Sequence, residues 1–317
     1  MYKIAIIGLG PAGIFSLALL PPEIHKDVIV FEPSAVGGAL ATEYGAVVAN
    51  ITKAVILTAF RSVPRWASNA FKHLEKYSDE SCPLLGDVVK QLRELIAPDL
   101  RSVVFHSERI VSYVQENKVW KLKTSGGNSF EAKKLVLTTG AVAKGIDLPK
   151  PVIPLHVALT PSVLSAYVTE EDSIVVFGTA HSGTLALRNL RNAGVKKLTG
   201  IFRGEKPFFF ARDGFSEGIK QESAMIADDL LATGWACLLR LDDFSGCHRA
   251  VCEASAVVFA MGFERTALPS GGNIWGFGIG FPSFYTSSDG KSYPDVGFGG
   301  FISAISVALP SLLTFDS

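Results

Sequence analysis

Cysteine is scarce in this chain: four residues among 317, at Cys82, Cys237, Cys247 and Cys252. Four scattered cysteines do not make a disulfide framework, so a reducing, cytoplasmic setting is the default expectation. An excess of charge of either sign is also lacking. Lys plus Arg and Asp plus Glu both count 30, and charged residues make up only 19%. A neutral chain argues against nucleic acid or an anionic membrane surface as the main partner. The six histidines show no ligand spacing, so no metal site is expected. Disorder is excluded by a hydrophobic content of 48%. The length allows about two domains.

Two uncharged stretches could mislead. Residues 4–22 follow Lys3 and mimic a signal peptide, but Gly8, Gly10, Pro11 and Gly13 would break an apolar helix there. Residues 296–315 are about long enough to span a bilayer. They contain Gly297, Gly299, Gly300, Ser303, Ser306 and Pro310, so a buried terminal helix is expected and no membrane span.

What the sequence has in quantity is glycine, 30 residues, and the glycines fall into turns. Residues 2–7 read as a strand buried on both faces. Gly8-Leu9-Gly10-Pro11-Ala12-Gly13 follows, then a helix over 14–20 and a second strand over 28–31 ending in Glu32. Glu32 lies 19 positions after Gly13, near the ~20 expected for the acid that binds a ribose hydroxyl. In such a turn the first glycine allows the strand-to-helix bend. The second lets backbone approach a pyrophosphate, and the third lets helix and strand pack closely. Free N–H groups at the helix start then face the anion. These features predict a dinucleotide site.

A second such unit begins near residue 173. Residues 173–177 read as a strand, Gly178-Thr179-Ala180-His181-Ser182-Gly183 as the turn, 184–192 as a helix and 197–202 as the next strand. Arg203 lies 20 positions after Gly183, where the first unit has Glu32. A guanidinium there suits a 2′-phosphate better than a ribose hydroxyl, which favours NADP over NAD, with Lys206 near enough to help. Ala180 takes the middle glycine's place and holds the backbone slightly away from a pyrophosphate. His181 and Ser182 are expected beside that pyrophosphate, His181 as a binding or capping residue.

Between the units, residues 59–95 read as helical with a turn around 78–83. Residues 103–114 and 119–124 read as strands, 125–128 as a hairpin turn, and 134–138 as a buried strand ending in Thr139-Gly140. Residues 148–161 are proline-rich and read as an extended linker. Residues 235–241 and 256–261 read as further strands.

The order of these motifs resembles the flavoproteins with two dinucleotide-binding domains: thioredoxin reductases, their ferredoxin-NADP reductase relatives and flavin monooxygenases. The N-terminal GxGxxG, then Gly37-Gly38, then Thr139-Gly140, the second dinucleotide turn and Ala260-Met261-Gly262-Phe263 carry the resemblance over almost the whole chain. It implies an α/β fold of two Rossmann-like domains, the second inserted into the first. The FAD domain would take residues 1–157 plus 266–317, and the NAD(P) domain 158–265. It further implies FAD on Gly8, Gly10, Pro11, Ala12, Gly13, Glu32, Gly37, Gly38, Thr139, Gly140 and Gly278, and NADP(H) on Gly178, His181, Ser182, Gly183, Arg203 and Lys206. Asn50 is the polar candidate near the flavin.

Three departures from the family stand out. Thioredoxin reductases carry a Cys-x-x-Cys in the nicotinamide domain; the nearest pair here, Cys247 and Cys252, differs by five and falls on opposite faces of an extended segment. The further fingerprint usual in flavin monooxygenases is not found. The usual Gly-Asp near the C-terminus is replaced by residues 278–282. The resulting expectation is a FAD-dependent NAD(P)H oxidoreductase that passes hydride to flavin and on to a small-molecule or small-protein acceptor, with a homodimer as a candidate assembly. A flavin-dependent monooxygenase and a non-catalytic FAD-binding sensor stay open as alternatives.

Overall fold

Six residues rich in β-branched side chains open the chain as β1 (Tyr2–Ile7), buried from Ile4 onward. The structure is a computed structural model and describes residues 1–208, 218–264, 267–286, 290 and 292–315. Helix α1 (Pro11–Leu19) starts inside the glycine turn, with Pro11 in its first position, where a missing N–H costs nothing. The start lies three residues before the expected one, because the turn itself supplies the first helical turn. Strand β2 (Val28–Phe31) pairs parallel to β1.

Next come α2 (Ala39–Thr42), α3 (Lys53–Arg61) and α4 (Leu85–Leu100). Thr52 caps α3 by accepting from the Val55 N–H. The stretch expected to be helical over 59–95 is broken between α3 and α4 by short 3₁₀ turns at Pro64–Trp66 and Lys72–Leu74. Strands β3 (Val104–His106), β4 (Ile110–Glu116), β5 (Val119–Thr124) and β6 (Ser129–Leu137) follow. The expected single strand over 103–114 is therefore two. The hairpin turn at 125–128 is present, with Thr124 N–H donating to Asn128 O at 2.9 Å.

The sheet runs in the order β3-β2-β1-β6-β5-β4. One face carries a core made with α1, α3 and α4; the other buries Ala5, Ile7, Phe31, Trp120 and Leu135.

Two short helices, α5 (Leu155–Ala158) and α6 (Pro161–Leu164), lead into β7 (Ser173–Phe177), α7 (His181–Asn192), β8 (Lys197–Phe202), α8 (Ile219–Thr233), β9 (Cys237–Arg240), α9 (Phe244–Glu253) and β10 (Ala256–Phe259). A second, wholly parallel sheet has the order β10-β7-β8-β9. The chain then returns. Strand β11 (Ile274–Gly276) pairs parallel with β6 through Ile274↔Leu135, in the first sheet. Strands β12 (Ser283–Thr286) and β13 (Ser292–Asp295) form an antiparallel pair, and α10 (Phe298–Leu313) packs against α1. Phe298 meets Phe15 with ring centroids 5.7 Å apart. The uncharged terminal stretch is thus a helix that buries Phe301, Ile302, Ile305 and Leu312. Among the described residues, no helix is long and apolar enough to cross a membrane.

The two crossings between the sheets lie side by side. Ala143 and Phe263 bridge antiparallel; Lys144 N–H donates to Gly262 O and Glu264 N–H to Val142 O. The proline-rich segment at 148–161 is not an extended linker. Ile153 N–H donates to Val257 O, so this segment already pairs with β10 before it coils into α5 and α6. Residues 209–217 and 265–266, between β8 and α8 and just after the second crossing, lie outside the described residues.

Candidate functional site

The two sheets carry the same turn. In the first, Gly8 N–H donates to Phe31 O at 2.8 Å, which ties the end of β1 to the end of β2. In the second, Gly178 N–H donates to Ile201 O at 2.8 Å, which ties β7 to β8. Gly8 has φ of +96° and Gly178 +91°, a region that L side chains rarely adopt. A Cβ on Gly13 would stand 2.2 Å from Gly8 O, and one on Gly183 1.8 Å from Gly178 O. Both helices therefore sit against their strands as closely as backbone allows.

Neither α1 nor α7 has a side-chain cap or an acid in its first turn. The first N–H groups of an α-helix have no partner within it. Two uncapped helix starts with no acid in the first turn are suited to anions.

The first turn opens onto free space. A Cβ on Gly10 would find its nearest neighbour, Gly37 O, 4.0 Å away, and one on Gly140 would find nothing within 4 Å. This cradle fits a pyrophosphate in close approach. Gly37 N–H donates to Leu9 O at 2.7 Å, and the Cβ position of Gly38 lies 3.2 Å from Gly10 Cα. Thr139 adjoins Gly8, and Gly278 faces Ala12, whose Cβ would be 3.0 Å from a Cβ at 278. The structure thus brings Gly8, Gly10, Pro11, Ala12, Gly13, Gly37, Gly38, Thr139, Gly140 and Gly278 around the start of α1.

Glu32 joins them from the end of β2. Its side chain is buried and accepts from Leu9 N–H at 2.7 Å and from Ser34 N–H at 2.9 Å. Two backbone donors fix the carboxylate at the turn, with lone pairs left over to accept from a hydroxyl. The sequence reading overlooked Thr138. Its hydroxyl donates to Gly8 O at 2.6 Å and lies under Gly13, so the residue that follows β6 locks the turn. Its position just before Thr139-Gly140 was the available signal.

The second turn differs in three ways. Ala180 is the residue before α7 and is exposed, so its methyl faces solvent and not packed protein. His181, in the first turn of α7, is half-buried; burial, then the nearby Lys220 ammonium, push its imidazole pKa down, which keeps the ring neutral near pH 7. Ser182 is also partly buried.

The third difference corrects the expectation for Arg203. Phe31 and Ile201 occupy equivalent places, so the counterpart of Glu32 is Phe202, and Arg203 follows one position later. The second unit has no carboxylate where a ribose-binding acid would stand. Arg203 and Lys206 are both exposed beyond the strand end.

Asn50 lies in the loop between α2 and α3. It is exposed, beside Ala49, whose carbonyl accepts from Ile219 N–H of the second unit at 3.4 Å. A cleft of about 390 Å³ lies between residues 41–46 and 156–167. At its edge the Tyr44 ring meets His156 and Phe263, with centroids 6.5 and 6.3 Å apart. Burial, then the Glu43 charge, push the Tyr44 phenol pKa up.

Cys247 and Cys252 lie on α9, not on an extended segment. Asp243 caps that helix by accepting from Gly246 N–H at 2.9 Å. Cys247 is buried and Cys252 exposed, so the helix, like the strand first expected, keeps the two apart.

Comparison with known proteins agrees with this geometry. Residues 5–142 match a family model described as FAD-NAD(P)-binding. Among curated proteins, none matches the sequence. A mutant flavin monooxygenase from Stenotrophomonas maltophilia is similar in structure, with a TM-score of 0.67, 14% identity and 98% of each chain covered. The bacillithiol disulfide reductase of Bacillus cereus has a TM-score of 0.63, 14% identity and 98% of each chain covered. Lactococcus lactis thioredoxin reductase has 0.61, 12% identity and 99% of each chain covered. The family description and the doubled turn indicate FAD and NAD(P) as the cofactors. The chain thus has, over nearly its whole length, the two-dinucleotide-domain fold of thioredoxin reductase-like flavoproteins, with a FAD-NAD(P)-binding match in its first unit.

Proposed function

We propose that the protein is a FAD-dependent NAD(P)H oxidoreductase. In this reading FAD lies on the first sheet and NADP(H) on the second, inserted unit, with the chain crossing at residues 142–144 and 262–264. The single observation that carries the reading is the duplicate turn: Gly8/Gly13 and Gly178/Gly183 make the same contacts on two separate sheets.

The residues divide the work between holding and positioning. The α1 start and Gly10 take the FAD pyrophosphate, and Glu32 accepts from its ribose. Gly37 and Gly38 wall the cradle, and Gly278 closes it beside Ala12. On the second unit, the α7 start, with Ser182 and the neutral His181, takes the NADP(H) pyrophosphate. Arg203, helped by Lys206, pairs with the 2′-phosphate. When bound, the two cofactors supply hydride transfer from nicotinamide to flavin. The chain needs no acid or base for that step, and none is assigned.

The test is spectroscopic. Purified protein is expected to carry FAD, and NADPH added without oxygen is expected to bleach it. Uncoupled oxygen use, without a long-lived hydroperoxide spectrum, would favour the reductase over a monooxygenase. A flavin that neither NADPH nor NADH reduces would point to the sensor.

A further inference from the structure

Helix α8 packs along α7, and its first turn lies over the first turn of α7. The Ser223 hydroxyl of α8 donates to His181 O at 3.1 Å. Lys220 stands three residues before Ser223, so the two project from one face of α8. Burial, and after it the Lys220 charge, push the His181 imidazole pKa down, so the ammonium acts at the start of α7. The position of Lys220 is also fixed from the other side. Ile219 N–H donates to Ala49 O of the first unit at 3.4 Å, and a Cβ on Gly218 would overlap that same oxygen.

The charges around this point are unequally matched. Glu222, the acid of the first turn of α8, pairs with Arg188 of α7. Arg188 also donates to Asn189 Oδ1 at 3.0 Å, so that pair is closed on itself. Lys220 is partly buried, and among the described residues no carboxylate lies within ion-pair distance of it. A partly buried ammonium without a counter-ion is costly. Beside it lies the start of α7, which has no side-chain cap and no acid in its first turn. Both features ask for the same thing, an anion.

We propose that Lys220 is a cofactor-binding residue whose ammonium pairs with the pyrophosphate of the nicotinamide dinucleotide, for NADP(H) and NAD(H) alike. The inference rests on the reading of the second unit as the NAD(P) unit. An ammonium is a compact charge with three donors, and phosphate oxygens are acceptors only. Arg203 and Lys206 lie beyond the end of β8, whereas Lys220 lies beside the start of α7. The cations thus divide the dinucleotide between them. Arg203 and Lys206 take the 2′-phosphate, which only NADP(H) carries. Lys220 takes the pyrophosphate, which both nucleotides carry, and so sets affinity without setting preference.

The experiment is calorimetric titration of the purified, FAD-loaded protein with NADP⁺ and, separately, with NAD⁺. Lys220→Gln is expected to weaken both by about tenfold or more. The ratio of the two affinities and the flavin content are expected to stay as they are, and Lys220→Arg should recover most of the loss. Lys220→Met keeps the apolar stem and serves if Lys220→Gln does not fold. Unchanged affinity overturns the proposal. So does a loss confined to NADP⁺, which would put Lys220 at the 2′-phosphate, or a loss that Lys220→Arg does not recover. Wild-type protein that binds neither nucleotide removes the NAD(P) reading of the second unit itself, and the proposal with it.

Discussion

Gly10 and Gly13 share one turn, yet substitution should act on them in opposite ways. A side chain at Gly10 meets no protein atom closer than 4.0 Å, and Gly10 has an ordinary φ of −67°. Gly10→Val should leave the FAD-free protein as stable as before and fill the pyrophosphate space, so the variant should purify without FAD. A full complement of FAD would misplace the site. A Cβ at Gly13 would overlap Gly8 O and the Thr138 hydroxyl. Gly13→Ala should cost about 1–3 kcal/mol by overpacking, read by chemical denaturation of the FAD-free protein. Unchanged stability would mean that the turn is looser than described. Arg203 is the residue for specificity. A charge-assisted, often bidentate contact contributes about 1.5–3 kcal/mol. NADPH should therefore be preferred over NADH by roughly 10- to 150-fold, and Arg203→Ala should shrink that preference. Equal rates and affinities for the two nucleotides, unchanged in the variant, would remove Arg203 from the site.

At the scale of elements, α9 and α4 each carry a prediction. On α9, burial first, then Asp243 and Asp242, push the Cys247 thiol pKa up. Exposed Cys237 and Cys252 should therefore react quickly with an aromatic disulfide reagent, and Cys247 only on unfolding. Cys247→Ser combined with Cys252→Ser should keep turnover with an artificial acceptor; loss of turnover with flavin still reducible would make them a redox pair. On α4, burial alone would raise the Asp87 carboxyl. Hydrogen bonds from Lys76, Lys90 and Tyr77 outweigh it and hold the carboxyl well below the usual carboxylate range. A depressed folded pKa adds stability that is complete above the unfolded value near ~3.9 and is lost as pH falls through the folded one. Asp87→Asn should flatten that acid limb of the stability profile; an identical acid limb would contradict the assignment. Elements with a strong local pattern were legible in the sequence. The runs at 2–7, 28–31 and 173–177 are strands because each is apolar and buried on both faces. Helix α9 was not legible: its apolar residues are few, and its main signal is the Asp243 cap. Nor were Lys220 and His181, which only tertiary packing brings together.

For the whole molecule, the two sheets are joined by paired crossings at Ala143 and Phe263, and β11 returns to β6. The order of glycine turns made the doubled unit legible, since each turn sits between a buried strand and a helix. The crossing points were harder to read. Proline at 149–154 suggests a linker, but Pro151 O accepts from Val257 N–H and ties that segment to the second sheet. This architecture sets the two helix starts on separate sheets, and the central claim is that each holds one partner of a hydride transfer. Rapid mixing of the purified protein with NADPH under strict anaerobiosis, followed by the visible absorbance of the bound flavin, tests that claim most directly. The account predicts bleaching of the bound flavin, faster with NADPH than with NADH. Bound FAD that stays oxidised with both nucleotides would contradict it.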